Sequence, residues 1–290
     1  MPGIQNNAMN IPLAHANQQY WDLTAENYDS IFSESVIGRV QRDAVWRELD
    51  KVFQPGMRIL ELNCGTGVDA VHLAARGVRV VACDLSSKMI DAARRRSGAA
   101  SVDTLVDFRV LPTEEIDSLV GEAPFDGAFS NFSGLNCVQD ISQAARNLAR
   151  LLKPRAQTQL CMVGRFSLWE MAWHLAEGKP ALALQSFKRK PTTHISTQGV
   201  VLVHYPSVND MRRMFASEFR LRGWKGIGVA VPPSCLEPFA RRVPEMVAGL
   251  AKIDHYLSRV PIFRSMGDCV LLQFERLSEE SPSGGKPSSS

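Results

Sequence analysis

The sequence predicts an α/β fold, a doubly wound and mostly parallel seven-stranded sheet with helices on both faces. Three observations carry that expectation. From residue 58 onward, short apolar runs alternate with amphipathic stretches, the pattern of strands joined by helices in a parallel sheet. A glycine-rich turn, Asn63-Cys-Gly-Thr-Gly67, joins the first run to the first helical stretch. The second run ends on a carboxylate, Asp84, at the sheet edge where such folds bind ligands.

The elements follow in order. Residues 17–53 read as helical, with Val36, Val40, Ala44, Val45 and Leu49 on one face and Pro55-Gly56 closing the segment. RILEL (58–62) is a first strand, and the next helix, from Val68, stops at Gly77. VRVVACD (78–84) is a second strand, and Ser86 caps a helix ending in Arg94-Arg95-Arg96, cations that complement a helix C-terminus. Residues 106–110 form a third strand, FDGAFSNF (125–132) a fourth, and 158–163 a fifth, with an amphipathic helix at 140–152. The rhythm breaks over 165–205, which reads as an insertion above the carboxyl edge of the sheet. A helix near 207–216, a strand over 219–231, a helical stretch over 232–260 and a last strand over 268–276 complete the domain.

Composition excludes several classes. The 290 residues carry 33 Lys+Arg against 30 Asp+Glu, a net charge of +3, too small to call for nucleic acid as a partner. Six scattered cysteines with no CxxC pair argue against a metal site and for reduced thiols, hence a cytoplasmic protein. The sequence shows no signal peptide, and no apolar run approaches the roughly 20 residues of a membrane span. A single domain is expected over 17–277, with residues 17–54 as a helical lid and 165–205 as a substrate cap. Loose termini flank it at 1–16 and 278–290.

The chemistry is concentrated in Glu61-Leu-Asn-Cys-Gly65-Thr-Gly67 and Asp84. Glycines in a strand-to-helix turn let a ligand approach backbone amides, and a carboxylate ending the next strand can accept both hydrogen bonds of a ribose diol. Glu61 would repel a pyrophosphate but suits a cationic ligand, which disfavours the alternative of an NAD-type oxidoreductase. With these residues the sequence resembles the class I methyltransferases that use S-adenosylmethionine, over roughly residues 40–276. The resemblance implies a Rossmann-like methyltransferase fold and S-adenosylmethionine as cofactor, with S-adenosylhomocysteine as product. It implies that Glu61, Gly65 and Gly67 hold the methionine part, Asp84 the ribose, and Leu85 and Met89 the adenine, with Asn63 also among the cofactor-binding residues. Pro112 stands where the family often has an Asp, so Thr113 or Glu114 would read the adenine edge. Leu152-Lys-Pro154-Arg-Ala156 replaces the family's Leu-x-Pro-Gly-Gly turn.

At the acceptor end, Ser130-Asn131-Phe132 lacks the prolines of the amino-group methyltransferases. It is similar instead to the small-molecule branch related to quinone and sterol methyltransferases, which implies a small, largely apolar acceptor. By that resemblance Asn131 and Phe132 border the cofactor, and Tyr20 and Tyr28 of YWDLTAENYDSIF are lid residues. They could equally be anchors packing a helix on the sheet. Within the insertion, Trp169 and Trp173 share a helix face, as do Glu170 and His174. With Tyr205 they could wall an acceptor site in which Glu170, His174 or His204 takes a proton; equally, they could form a cap helix with an exposed ion pair. Methyl transfer from a sulfonium can also proceed by positioning alone. A methyltransferase fold retained as a non-catalytic binding module is the remaining alternative.

Overall fold

The computed structural model describes residues 13–183, 192–196 and 199–278. In chain order the strands are β1 (Arg58–Leu62), β2 (Arg79–Asp84), β3 (Val106–Val110), β4 (Phe125–Ser130), β5 (Leu152–Val163), β6 (Thr192–Ser196), β7 (Gly199–Val203), β8 (Phe219–Ile227) and β9 (Cys269–Arg276). Seven of them form one sheet in the order β3-β2-β1-β4-β5-β9-β8. β1 to β5 run parallel, and β9 lies antiparallel between β5 and β8. The doubly wound, mostly parallel sheet is the one the alternation predicts. Its order reverses at β1, flanked by β2 and β4, so the crevice at their carboxyl ends is the place for a ligand.

Burial on both faces explains the unbroken apolar character of the inner strands. Ile59 packs in one core cluster with Leu73, Val80, Ile90 and Phe129, and its neighbour Leu60 in the other with Val81, Phe125, Leu148 and Phe274. α2 (Val36–Val52), α3 (Val68–Ala75), α4 (Ser87–Ala99) and α5 (Ile141–Leu151) supply helical side chains to these clusters, while α1 (Leu13–Tyr28) and α6 (Leu168–Ala176) contribute none. Ser86 and Asp140 cap α4 and α5 through the amides of Met89 and Gln143, satisfying donors that a helix start leaves open.

Four boundaries depart from the sequence expectation. The 17–53 segment is not one helix: α1 ends in a π-turn at Asp29–Ser33, and α2 starts afresh at Val36. Ser35 makes the break, accepting the Gly38 amide at 2.9 Å while donating to the Phe32 carbonyl. A Cβ on Gly38 would sit 1.9 Å from that carbonyl oxygen. The carboxylate of Glu237 adds a second cap, taking the Val36 and Ile37 amides at 2.9 and 3.1 Å. β5 begins at Leu152 rather than Thr158, and β8 ends at Ile227. The stretch read as helical over 232–260 is two helices, Glu237–Ala240 and Pro244–Leu257, the second starting where Pro244 suits a first turn.

The insertion braces the lid. β6 and β7 form a separate antiparallel hairpin, and β7 packs on α1. Trp169 of α6 donates its indole N–H to the Ala230 carbonyl at 3.0 Å.

Near the start of β5, where its register with β4 shifts, Arg155 holds φ at +63°, in the left-handed region that costs a residue with a Cβ roughly 1–2 kcal/mol. This is where the resembled family has glycine. Arg155→Gly is expected to raise the free energy of unfolding by about 1 kcal/mol, read as a higher urea midpoint at unchanged slope.

Candidate active site

The turn after β1 is built from the backbone outward. The Cys64 amide donates to the Cys83 carbonyl of β2 at 2.9 Å, and the Gly67 amide closes back on the Cys64 carbonyl at 3.0 Å. Asp84 at the end of β2 accepts the Gly65 amide at 2.9 Å on one oxygen and the Ser86 amide at 2.9 Å on the other. Burial pushes its carboxyl up to about 6, against the pull of those two amides.

The two glycines of the turn do different work. Gly65 (φ +53°) faces open space, with only the Tyr28 ring 4.0 Å from where a Cβ would stand. It leaves the backbone approachable by a ligand. Gly67 (φ +73°) faces inward, and a Cβ there would lie 2.7 Å from the Ala93 Cβ and 2.9 Å from the Phe108 ring. Its place is therefore in the packing of α3 and α4 on β3, which corrects the expectation that it touches ligand.

Around Asp69, at the start of α3, lies a buried polar knot. Arg42 Nη1 bonds Asp69 Oδ2 at 2.5 Å, Trp46 Nε1 bonds Oδ1 at 2.6 Å, and Asn131 Nδ2 bonds Oδ2 at 3.0 Å. The Arg42 guanidinium also sits 4.9 Å from the centre of the Phe132 ring. Two buried charged groups beside this knot each keep an atom with no hydrogen-bond partner, Arg42 Nε and Glu61 Oε2. Burial, with the charge of Asp69, pushes the Glu61 carboxyl well above its ordinary range, while Arg42 acts the other way.

The turn, Asp84 and the knot border a cavity of about 210 Å³ at the switch point. Of the residues expected around a cofactor, Tyr28, Asn63, Gly65, Asp84, Leu85 and Met89 line it. So do Thr113, Glu114, Asn131 and Phe132. Glu61 stands one layer back, within reach of the charges on Arg42, Asp69 and Asp84.

α1 forms the outer wall. Asn17, Trp21 and Tyr28 all line the cavity, standing at i, i+4 and i+11 on one helix face. Tyr20, the expected lid residue, is off that face and meets Trp21 edge-on with ring centres 5.1 Å apart. Helical phase counted back from Tyr28 selects Trp21 directly. Burial pushes the Tyr28 hydroxyl up to about 12. Two latches hold this wall down. Asp29 accepts Thr66 Oγ1 at 2.7 Å and pairs with Arg96 at 2.5 Å, and Asp22 accepts Ser86 Oγ at 2.6 Å.

The residues expected at the acceptor end fall elsewhere. Among the described residues of 165–205, none lines the cavity. The Trp169 indole is spent on Ala230, and Tyr205 lies outside the lining. His174 stands 3.7 Å from Glu177. The side chains of Glu170 and Trp173 lie outside the described residues. His204 is held through its backbone by Asn136: its N–H donates to the Asn136 main-chain carbonyl at 2.7 Å, and its own carbonyl accepts from Asn136 Nδ2 at 2.7 Å. The lining instead includes Arg42, Asp69, Cys137 and Val138, which sequence reasoning missed. A signal existed for Arg42, a cation on the buried side of an amphipathic helix.

Residues 59–155 match the family model of a methyltransferase domain. A demethylmenaquinone methyltransferase of Symbiobacterium thermophilum is 26% identical over 70% of this chain and 86% of its own. The chain is a class I S-adenosylmethionine-dependent methyltransferase. A tRNA 5-carboxymethoxyuridine methyltransferase of Escherichia coli is 28% identical, over 46% of the methyltransferase and 52% of its own length. In fold, the methyltransferase is similar to the [4+2]-cyclase SpnF, with a TM-score of 0.61 over 92% of this chain and 98% of that one at 15% identity.

S-adenosylmethionine is the cofactor, and the residues present fit it. The open face of Gly65 and the buried, unpartnered Glu61 Oε2 are features that cost stability unless a ligand answers them. Gly67→Ala is expected to lower stability by about 2–5 kcal/mol, since strain at positive φ adds to overpacking. Gly65→Ala is expected to cost only the strain, about 1–2 kcal/mol. Urea unfolding of the two variants checks the difference.

Proposed function

We propose that this methyltransferase acts on a small, largely apolar acceptor, in a biosynthetic step in the cytoplasm. The observation that carries the reading is the cavity's lining. Beside the residues given to the cofactor, Phe132 and Val138 supply apolar walls, and the one Lys or Arg among the described lining residues, Arg42, is engaged with Asp69. A polyanion needs free cations at its site, and Glu114 and Glu115 in the lining repel one. That weighs against an RNA acceptor of the kind the E. coli relative's name prints. The name of the S. thermophilum relative, a demethylmenaquinone methyltransferase, is in keeping with an apolar acceptor. Free cysteines throughout the described residues suit the cytoplasm, and no described helix is long and apolar enough to cross a membrane.

In this reading Arg42 Nε and Glu61 Oε2 are a complementary pair, a donor for a carboxylate and an acceptor for an ammonium. Together they match the zwitterionic amino-acid end of the cofactor. Asp84 takes the ribose diol, Leu85 and Met89 flank the adenine, and Thr113 and Glu114 meet its edge. Asn63 and Gly65 border the methionine part, and Tyr28 and Trp21 close over it. The bound sulfonium supplies an already activated methyl group. The protein's part is to exclude water and hold an acceptor in line. Positioning is the contribution this reading assigns to the protein.

Calorimetry tests the pairing. Glu61→Gln is expected to weaken S-adenosylhomocysteine binding about 10–100-fold, the worth of a charge-assisted hydrogen bond. Binding of 5′-methylthioadenosine, which lacks the amino-acid end, should be unchanged. The same variant removes a buried, partly bare carboxyl, so the ligand-free protein should melt higher. Equal loss of both ligands would overturn the assignment.

A second expectation concerns pH. Asp84 titrates at about 6 in the folded, ligand-free chain, and only its ionised form accepts both hydrogen bonds of a diol. Affinity for S-adenosylhomocysteine should therefore be level above pH 6 and fall toward tenfold per unit below it. For the ligand-free fold the sign is opposite. A carboxyl titrating higher folded than unfolded costs stability as pH rises through 6.

A further inference from the structure

Of the large apolar side chains exposed among the described residues, six fall between residues 239 and 262: Phe239, Met246, Ile253, Tyr256, Val260 and Ile262. Tyr256 and Ile262 are 75% and 72% exposed. Such a concentration is a surface with a purpose more often than a chance. The Pro244–Leu257 helix explains its shape. Val247, Leu250 and Ala251 pack against Val36, Ile37 and Val40 of α2. Met246 and Ile253, seven residues apart, run along the flank of that buried line, Tyr256 lies farther round, and Val260-Pro261-Ile262 follows directly.

The charges around this stripe are one-sided. Arg242, Lys252 and Arg259 are exposed, and none of them makes an ion pair among the described residues. The segment's acids are turned inward. Asp254 is buried and accepts the amides of Gly228 and Ala230 at 3.2 and 2.7 Å. Glu237 caps α2 and pairs with Arg241. Glu245 is the one exposed carboxylate in the stretch from 237 to 264.

We propose that this face, the Pro244–Leu257 helix with the Val260-Pro261-Ile262 turn, docks on an anionic lipid bilayer. Apolar side chains standing beside unpaired cations match the two layers of such a surface. The side chains enter the acyl boundary while Arg242, Lys252 and Arg259 meet headgroup phosphates. A second copy of the chain is the poorer occupant. A twofold contact would bring these cations against their own equivalents, with Glu245 alone to answer them. The proposal does not depend on which acceptor the enzyme uses.

Flotation of the full chain with vesicles tests it. Protein should float with phosphatidylcholine vesicles containing phosphatidylglycerol at low salt, and much less with phosphatidylcholine alone or at high salt. Replacing Arg242, Lys252 and Arg259 by Gln should weaken binding about fivefold per cation removed. Ile253→Glu with Ile262→Glu should abolish it. Val120→Glu, at an exposed apolar position outside the stretch, should leave it intact. Unchanged S-adenosylhomocysteine binding shows that each variant is folded. The proposal is overturned by failure to float at low salt, or by flotation that Ile253→Glu with Ile262→Glu does not reduce. A dimer in sedimentation velocity that the same pair dissociates, without flotation, would assign the face to a second copy.

Discussion

The site depends on a single buried carboxylate. Asp69 receives Arg42 and Trp46 from α2 and Asn131 from the end of β4, so two distant parts of the chain converge on the first turn of α3. A buried ion pair contributes little net stability against an apolar alternative, but removing one partner leaves an uncompensated charge worth about 3–5 kcal/mol. The knot therefore acts as a locator. It fixes the plane of the Arg42 guanidinium, with one nitrogen spent on Asp69 and Nε left bare beside the cavity. It also fixes Asn131 and, through it, the left-handed step at Phe132 (φ +46°) that turns the chain along the cavity wall. Below it, Glu61 Oε2 is buried without a hydrogen-bond partner.

Over this floor lies a wall held by small polar latches and by the packing of β7 against α1. α1 meets the turn through Asp29 on Thr66 and Arg96, and meets the start of α4 through Asp22 on Ser86. Hydrogen bonds of this kind are each worth about 1 kcal/mol net, weak beside the burial that holds the sheet. The π-turn at Asp29–Ser33, a form found often at functional sites, sits between this wall and the firmly packed α2. The fold thus divides into a rigid sheet carrying Asp84 and the glycine turn, and a lightly fastened cover.

The sheet was legible because its signals are local. Runs such as RILEL and VRVVACD must be buried on both faces, and the turn between strand and helix announces itself in glycine. The ribose carboxylate was legible for the same reason, being the last residue of such a run. What escaped was set by three-dimensional phase and by distance along the chain. Gly65 and Gly67 are the same residue type two positions apart, and only the neighbours of their missing Cβ atoms, Tyr28 for one and Ala93 with Phe108 for the other, separate a ligand-facing role from a packing one. Tyr20 and Trp21 are adjacent aromatics, and helical phase rather than residue type decides that Trp21 lines the cavity. The tryptophans and histidines of the insertion drew attention as chemistry, yet Trp169 is turned to the Ala230 carbonyl and β7 to α1. Arg42 finds its partner, Asp69, 27 residues away along the chain, beyond the reach of local pattern.

The cap on α2 bears on how the protein is made. The amides of Val36 and Ile37 are held by Glu237, some 200 residues farther along the chain. A ribosome delivers residues in order, at roughly 5–20 per second. The helix that brings Arg42 to the site therefore waits many seconds for its second cap. Until Glu237 emerges, Ser35 alone secures the start of α2, and the early βαβ units are complete while the helix above them still frays. A nascent chain of this enzyme passes most of its synthesis as a sheet with a turn but without a finished pocket, and the last fifth of the message decides when the first fifth is properly fastened.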